Sequence, residues 1–320
     1  MVSGMAASAM PHAEALVIET RGLSKRFGER RAVDGVDLHV PAGCAFGFLG
    51  PNGAGKTTLI RLLLGLTRPT AGEMRLLGRP LPSERDAALA RVGAIVEEPR
   101  FHAHLSAREN LLLNAAARGR EAEARVTPAL ERVGLAKRAG DRVGRYSMGM
   151  RQRLGIARCL LADPLLLMLD EPMNGLDPAG ILEFRALIRG FVAEGRTVFL
   201  SSHLLDEVEK TCDLVAIIDR GRIVTQGPIA ELSAGEDQVL LIGCEPAQRA
   251  AELLRGDGLV RSVALEGERA LQVTLAAGAD AAEVNRRLVE AGVAVRQLQP
   301  VHRSLEQRFL EITSTLGEAP

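Results

Sequence analysis

The sequence predicts an α/β core carrying an inserted helical subdomain, followed by a small α+β domain of ferredoxin-like order. Three observations predict it. Short apolar runs alternate with helical patterns from Leu16 to Gly227, as in a mainly parallel sheet with helices on its faces. Leu105 to Ala162 is almost wholly helical in pattern, too long for a simple crossover, and is expected to form its own subdomain. After Gly227-Pro228 the order becomes strand, helix, strand, strand, helix, strand, the split βαβ arrangement. The expected divisions are a disordered tail over 1–14, a first domain over 15–232 with its helical part at about 100–162, and an accessory domain over 233–320.

Taken in order, Met1 to Ala13 is rich in Ala, Ser and Met and has no positive n-region. It is expected to be a floppy tail, or a stretch preceding a true start at Met5 or Met10, rather than a signal peptide. Cys44 to Leu49 is a short apolar run, and Ala45–Leu49 is expected as a buried strand. Leu59 to Leu66 is expected to be a helix ending near Gly65. Val92–Val96, Leu165–Leu169 and Thr197–Leu200 are further buried-strand candidates, and Ile217 to Val224 is expected as a hairpin with Gly221 in its turn. In the accessory domain, strands are expected at 238–243, 260–265, 270–275 and 293–298, with helices at 247–254 and 281–291. Ser304 to Ile312 is an amphipathic pattern with Ser304 as a candidate N-cap and Gln307 three residues on. This part shows no catalytic constellation and is expected to regulate or dock.

Composition narrows the function. Apolar residues make up 47% of 320, enough for a substantial core, and no charge-free run of about twenty apolar residues suggests a membrane span. Aromatics are 3%, with no Trp and one Tyr, and forty basic residues balance forty acidic ones. Neither a stacking platform nor a global basic field for nucleic acid is expected. Cys44, Cys159, Cys212 and Cys244 have no metal-type or redox-pair spacing and read as buried thiols in a reducing cytosol.

The chemistry begins at Gly50-Pro51-Asn52-Gly53-Ala54-Gly55-Lys56-Thr57-Thr58, which fits the phosphate-loop pattern. Glycines let the backbone wrap a polyphosphate with its N–H groups turned inward, and the next helix presents its positive dipole end. Lys56 offers a mobile point charge to the β- and γ-phosphates, and the Thr57 hydroxyl is suited to Mg²⁺. The chain has four lysines against thirty-six arginines, so this lysine is not what composition supplies by default, and Arg's rigid fork would not replace it. Downstream, Leu165 to Leu169 leads into Asp170-Glu171-Pro172. Two carboxylates at the C-terminal end of a strand lie where open parallel sheets bind ligands. Asp170 is placed to hold Mg²⁺ through water, and Glu171 to orient or deprotonate an attacking water.

With these motifs in hand, the chain resembles an ATP-binding cassette (ABC) ATPase subunit over about Ala15 to Ile229. The distinctive element is Tyr146-Ser147-Met148-Gly149-Met150, where the family usually has Leu-Ser-Gly-Gly-Gln. Ser147 and Gly149 match, while Tyr146, Met148 and Met150 depart. A Ser hydroxyl and a close backbone at a helix N-terminus are suited to gripping a terminal phosphate. The resemblance implies a P-loop NTPase (RecA-like) core, and it makes Phe27 a stacking partner for adenine. It implies that Asn174-Gly175-Leu176-Asp177-Pro178 crosses a dimer interface, and that His203, after Ser201-Ser202, senses the γ-phosphate. Glu97 stands where the family carries a Gln that links Mg²⁺ and water to the membrane partner. Glu97 and the altered signature together resemble the branch exporting bacitracin-like and lantibiotic peptides.

The resemblance further implies an ATP- and Mg²⁺-dependent ATPase subunit of an exporter. Its partners would be separately encoded membrane permease subunits and a second copy in a head-to-tail, ATP-dependent dimer, on the inner face of the cell membrane. Glu171 and His203 would be catalytic. Phe27, Gly50 to Thr58, Ser147, Gly149 and Asp177 would bind nucleotide, and Thr57, Asp170 and Glu97 metal. Cassettes acting on DNA or ribosomes are the first rival: the former carry a long coiled coil, whereas Ser147 comes 91 residues after Lys56 without sustained heptads, and the latter usually carry two cassettes. An unrelated P-loop kinase is the second rival and lacks the ordered downstream motifs. A chain that binds ATP but barely hydrolyses it is the third, on account of Glu97 and the altered signature.

Overall fold

The computed structural model describes residues 15–234, 239–276 and 278–301. These fall into two compact units, one ending at Gln226 and one beginning at Gly227. The tail at 1–14 and the helix expected at Ser304–Ile312 lie outside the described residues.

The first unit opens with β1 (Leu16–Phe27) and β2 (Arg30–Pro41), an antiparallel pair. β3 (Ala45–Leu49) then runs through the phosphate loop into α1 (Lys56–Leu63). β4 (Ala71–Leu76) and β5 (Arg79–Leu81) return to β1, completing a four-stranded antiparallel sheet in the order β2-β1-β4-β5. The apolar-run pattern did not reveal this sheet. Its strands alternate buried and exposed residues, as in β2, where Val36, Leu38 and Val40 are buried and the intervening residues exposed, so no continuous apolar run marks them.

α2 (Arg85–Leu89) leads into β6 (Val92–Ile95). The helical subdomain comes next as α3 (Ala107–Ala116), α4 (Arg120–Ala124), α5 (Val126–Arg132) and α6 (Met148–Leu160). α3 begins in a capping box, with Ser106 and Glu109 bonding each other's backbone N–H. Then come β7 (Leu166–Asp170), α7 (Pro178–Ala193), β8 (Thr197–Ser202), α8 (Leu205–Thr211), β9 (Leu214–Asp219) and β10 (Arg222–Pro228). The second sheet has the order β10-β9-β3-β8-β7-β6. The β3, β6, β7, β8 and β9 pairings in it are parallel. β9 and β10 are joined by the expected turn, in which Arg220 (φ 46°) and Gly221 (φ 82°) are both left-handed, as a two-residue type I′ turn requires.

Several predicted bounds shift. α1 starts at Lys56 rather than Leu59 and ends at Leu63, with Gly65 at φ 63° stopping it. β6 ends at Ile95, and β7 runs one residue later than expected, so Asp170 is its last residue.

The parallel strands β3, β7 and β8 are buried along their whole length. Phe46 of β3 stacks on Phe199 of β8 with centroids 5.8 Å apart, and Phe48 lies tilted by 32° against the same ring at 5.6 Å. Helices approach the sheet at glycine distance. A Cβ on Gly47 would sit 2.3 Å from Val208 of α8, and one on Gly93 would sit 2.6 Å from Cβ of Cys159 in α6. Among the described residues no helix is long and apolar enough to cross a membrane.

In the second unit, α9 (Ile229–Ala234) precedes β11 (Val239–Glu245), α10 (Ala247–Leu254), β12 (Val260–Leu265), β13 (Ala270–Leu275), α11 (Ala281–Glu290) and β14 (Ala294–Val301). The sheet order β12-β13-β11-β14, antiparallel throughout, is ferredoxin-like. Its core gathers Leu240, Ile242, Leu271 and Val273 under Ala250 and Leu254 of α10 and Val284 and Leu288 of α11.

The four cysteines are buried and form no disulfide with one another. Burial pushes the Cys159 thiol up to about 12, and burial with the neighbouring Asp213 charge raises Cys212 as well. At pH 8 both thiols are expected to resist iodoacetamide in the native protein and to react fully after denaturation, as read by mass spectrometry. Rapid native labelling of Cys159 would contradict this packing. Because the folded pKa lies above the unfolded value of about 8.5, the native state holds the proton longer. The contribution to stability is therefore complete below about pH 8.5 and lost as pH rises through the folded value.

Candidate active site

The phosphate loop spans β3 and α1, so the loop is anchored by a buried strand on one side and a helix on the other. Its backbone is packed from behind. A Cβ on Gly50 would lie 2.3 Å from the carbonyl oxygen of Ile218, and one on Gly55 would lie 2.3 Å from that of Ala32. Gly55 is also the N-cap of α1 at φ 113°, a conformation that side chains rarely adopt. Ala54 is buried, and its carbonyl accepts from the Gly221 N–H at 2.9 Å. The loop is thus pinned to the β9–β10 turn.

Pro51, Asn52, Gly53, Gly55, Lys56, Thr57 and Thr58 line a cleft of about 360 Å³. Phe27, Arg30, Ala32 and Glu171 complete it. Phe27 is 54% exposed at the end of β1, with the Lys25 ammonium 4.9 Å from its ring centroid. Gly50 and Ala54 support the loop from outside the lining.

Lys56 is 6% exposed. Its Nζ donates to the carbonyls of Gly50 at 2.6 Å and Pro51 at 3.3 Å and pairs with Glu171 Oε1 at 3.1 Å. Glu171 Oε2 lies 2.9 Å from His203 Nδ1. Glu171 therefore bridges the loop lysine and the histidine just beyond β8. Its backbone is left-handed at φ 46°, and its N–H is held by the hydroxyl and carbonyl of Ser201 at 3.0 and 3.2 Å.

Asp170 is 4% exposed at the end of β7. Its Oδ2 accepts from the Thr57 hydroxyl at 2.9 Å, and its Oδ1 accepts from Ser201 Oγ at 2.5 Å. Hydroxyl and carboxylate oxygens side by side suit a hard divalent cation, which takes oxygen ligands and retains waters or phosphate oxygens. Thr57 and Asp170 would hold Mg²⁺. Glu97 stands apart from this pair in its contacts. It is 64% exposed, left-handed at φ 61°, and bound to Arg61 of α1 at 2.5 Å. Among the described residues no three His, Cys, Asp or Glu side chains gather as a metal cluster.

Two contributors escaped sequence reasoning. Ser201 touches both carboxylate residues at once, and only the β7–β8 register, Asp170 beside Ser201, exposes that role. Arg30 faces Phe27 across the β1–β2 hairpin and donates to the Gly53 carbonyl at 3.3 Å; a hairpin read through Gly28-Glu29 would have found it.

Ser147, Gly149 and Asp177 line a second cleft of about 340 Å³, with Met148, Gly175 and Leu176. Among the described residues none lines both clefts. Ser147 is the N-cap of α6, its Oγ accepting from the Met150 N–H at 3.2 Å. Asp177 is the N-cap of α7, accepting from the Gly180 N–H at 2.9 Å. The structure brings Lys56, Thr57, Asp170, Glu171 and His203 together and keeps Ser147, Gly149 and Asp177 in a separate half-site.

Ser201→Ala removes the hydroxyl from both carboxylate-bearing positions while leaving a buried residue of similar size. The expected outcome is a fold of unchanged thermal midpoint to within a few degrees and a fall in nucleotide hydrolysis of about 10-fold, the scale of a lost positioning contact. Steady-state phosphate release checks it; full activity would remove Ser201 from the site.

Comparison with known proteins shows the family. The ABC transporter family model matches residues 33–174. The bacitracin transport ATP-binding protein BcrA of Bacillus licheniformis is 39% identical over 92% of this chain and 97% of its own length. The Nod factor export ATP-binding protein I of Paraburkholderia xenovorans is 37% identical over 95% of this chain and 98% of its own. A solved ATP-binding subunit of an ABC transporter aligns with TM-score 0.61 at 30% identity, covering 68% of this chain and 91% of that one. A cassette solved as a dimer with ADP and Pi shares the fold, at TM-score 0.60 and 22% identity, over 66% of this chain and 98% of that one. The chain belongs to the ABC transporter family, as an ATP-binding subunit.

Proposed function

We propose that this chain is the ATP-hydrolysing subunit of an exporter, acting as a head-to-tail pair on a separately encoded membrane permease. The observation that carries the reading is the division of the site. One cleft holds the phosphate loop and Glu171, the other holds Ser147 and Asp177, and among the described residues none lines both. Two copies arranged head to tail would join each phosphate-loop cleft to the partner's signature cleft.

In that pair, Lys56 would neutralise the terminal phosphates of ATP and the N-terminus of α6, with Ser147, would grip the γ-phosphate from the other copy. Bound Mg²⁺ would neutralise charge on the β- and γ-phosphate oxygens. Phe27 would stack on adenine. Glu171 would orient or deprotonate the attacking water, and His203, 2.9 Å from its carboxylate, would hold it in position. Nucleotide affinity that differs between open and closed pairs is what would drive a permease between its two states. Under this reading the chain works at the inner face of the cell membrane. The similarity to bacitracin transport and Nod factor export proteins supports export, and a peptide antibiotic or drug, as in self-resistance, is the proposed cargo class.

Glu171→Gln is expected to bind ATP and dimerise, seen as an ATP-dependent shift in size-exclusion chromatography, while hydrolysis falls by about 10²–10⁴-fold, the scale of general-base loss. Turnover at the wild-type rate would take Glu171 out of the base role. Purification of the tagged protein from its host's membranes in mild detergent is expected to bring down a stoichiometric polytopic membrane protein. Ribosomal or DNA-bound proteins in its place would overturn the transport reading and leave the ATPase intact.

A further inference from the structure

The turn that opens α6 and the loop that precedes α7 interlock through two glycines. The position a Cβ would take on Gly175 lies 2.4 Å from Sδ and 2.9 Å from Cε of Met148. In the other direction, the position of a Cβ on Gly149 lies 3.4 Å from Cδ2 of Leu176. Each segment thus supplies one glycine and one long apolar side chain, and each side chain lies over the other segment's glycine. Gly175 is at φ +71°, so its backbone favours glycine for a second reason. Met148 is 36% exposed; it packs on the loop from the surface and is not a core residue. An unbranched, polarisable thioether suits such an irregular gap.

We propose that Met148 is a positioning residue, whose thioether fixes the 174–178 loop against the N-terminus of α6. Ser147 and Asp177, the two N-caps that line the second cleft, are thereby held as one wall. Without Met148 the loop would lose the side chain that covers Gly175, and Asp177 would be free to shift relative to Ser147. This inference rests on the proposed function only for its consequence, since a wall that closes on a partner's nucleotide must present both groups at a fixed spacing.

The test is hydrogen exchange on the full chain without nucleotide, in wild type, Met148→Gly and Met148→Leu. The amides of Leu176 and Gly180, bonded to the Met173 carbonyl and the Asp177 carboxylate, are expected to exchange about tenfold faster in Met148→Gly and within about twofold of wild type in Met148→Leu. Should Met148→Gly fail to fold, Met148→Ala carries the same expectation. Equal exchange in all three proteins overturns the proposal. A second measurement is a double-mutant cycle. Gly175→Ala meets both the thioether and its own backbone strain in wild type, but only the strain in Met148→Gly. Its loss of thermal midpoint is therefore expected to be smaller in the Met148→Gly background, and equal losses would overturn the interlock. In the ATPase assay, Met148→Gly is expected to raise the half-saturating ATP concentration about three- to tenfold, with kcat changed by less and Met148→Leu restoring it. Because the exchange is read without nucleotide, it stands whether or not ATP closes a dimer. Unchanged exchange alongside intact ATP-driven dimerisation would sink the Met148 role alone.

Discussion

The site depends on the register between β7 and β8. Leu167 lies beside Val198, Met168 beside Phe199 and Leu169 beside Leu200, all fully buried. Side chains along a strand alternate, so a slip of one residue would turn every one of these to the opposite face and break the packing of both layers. That apolar ladder therefore specifies the polar pair at its end, Asp170 beside Ser201. β3 extends the same logic, since Leu49 lies beside Ser202 just before the phosphate loop begins. Three parallel strands end at one level, and the phosphate loop, Asp170, Glu171 and His203 stand at those ends or just past them. Hydrophobic registration thus acts as the ruler for the chemistry.

From that base, charge neutralisation is arranged in layers. Lys56 is nearly buried yet well satisfied, with two carbonyls and one carboxylate, so its desolvation is offset by directed bonds. Glu171 stands between this ammonium and His203, while Asp170 is turned to hydroxyls. Two adjacent carboxylates on one strand end therefore receive different partners, one a cation and one a pair of hydroxyls. The signature segment is positioned by separate means. Close packing of α6 on β6 through Gly93 and on Ile95 and Pro99 through Gly155 sets the helix position. Tyr146, whose hydroxyl donates to the Arg138 carbonyl at 2.7 Å, ties its approach to the helical subdomain. The unusual Tyr thus takes part in building the turn, and the Ser147 cap is retained.

Much of this was legible in the chain. The parallel strands announced themselves as short dry runs, the phosphate loop by its glycines and lysine, and the ferredoxin-like order by alternating elements after Gly227. The antiparallel sheet was not legible, because β1, β2 and β4 each bury one face and expose the other, with several register shifts in the β1–β2 pair. Within the site, the residues were visible but their pairing was not. Lys56 to Glu171 and Asp170 to Ser201 are contacts over long sequence separations, and only strand order and register bring them together. Glu97 shows the same limit: its place in the motif order gives no sign of Arg61, to which its carboxylate is bound. No periodicity reports where an exposed carboxylate will find its cation.

The left-handed backbone at Glu171 has a wider consequence. A residue with a Cβ in that region is held at a cost of roughly 1–3 kcal/mol, and the two bonds from its N–H to Ser201 are what keep it there. Glycine would occupy the same conformation with far less strain. At this position, under the role proposed for Glu171, thermostability and turnover would favour different residues. A lineage that had lost its need for ATP hydrolysis would feel a pull away from glutamate here, and a library screened for heat resistance alone would be expected to drift toward proteins that hold nucleotide without consuming it.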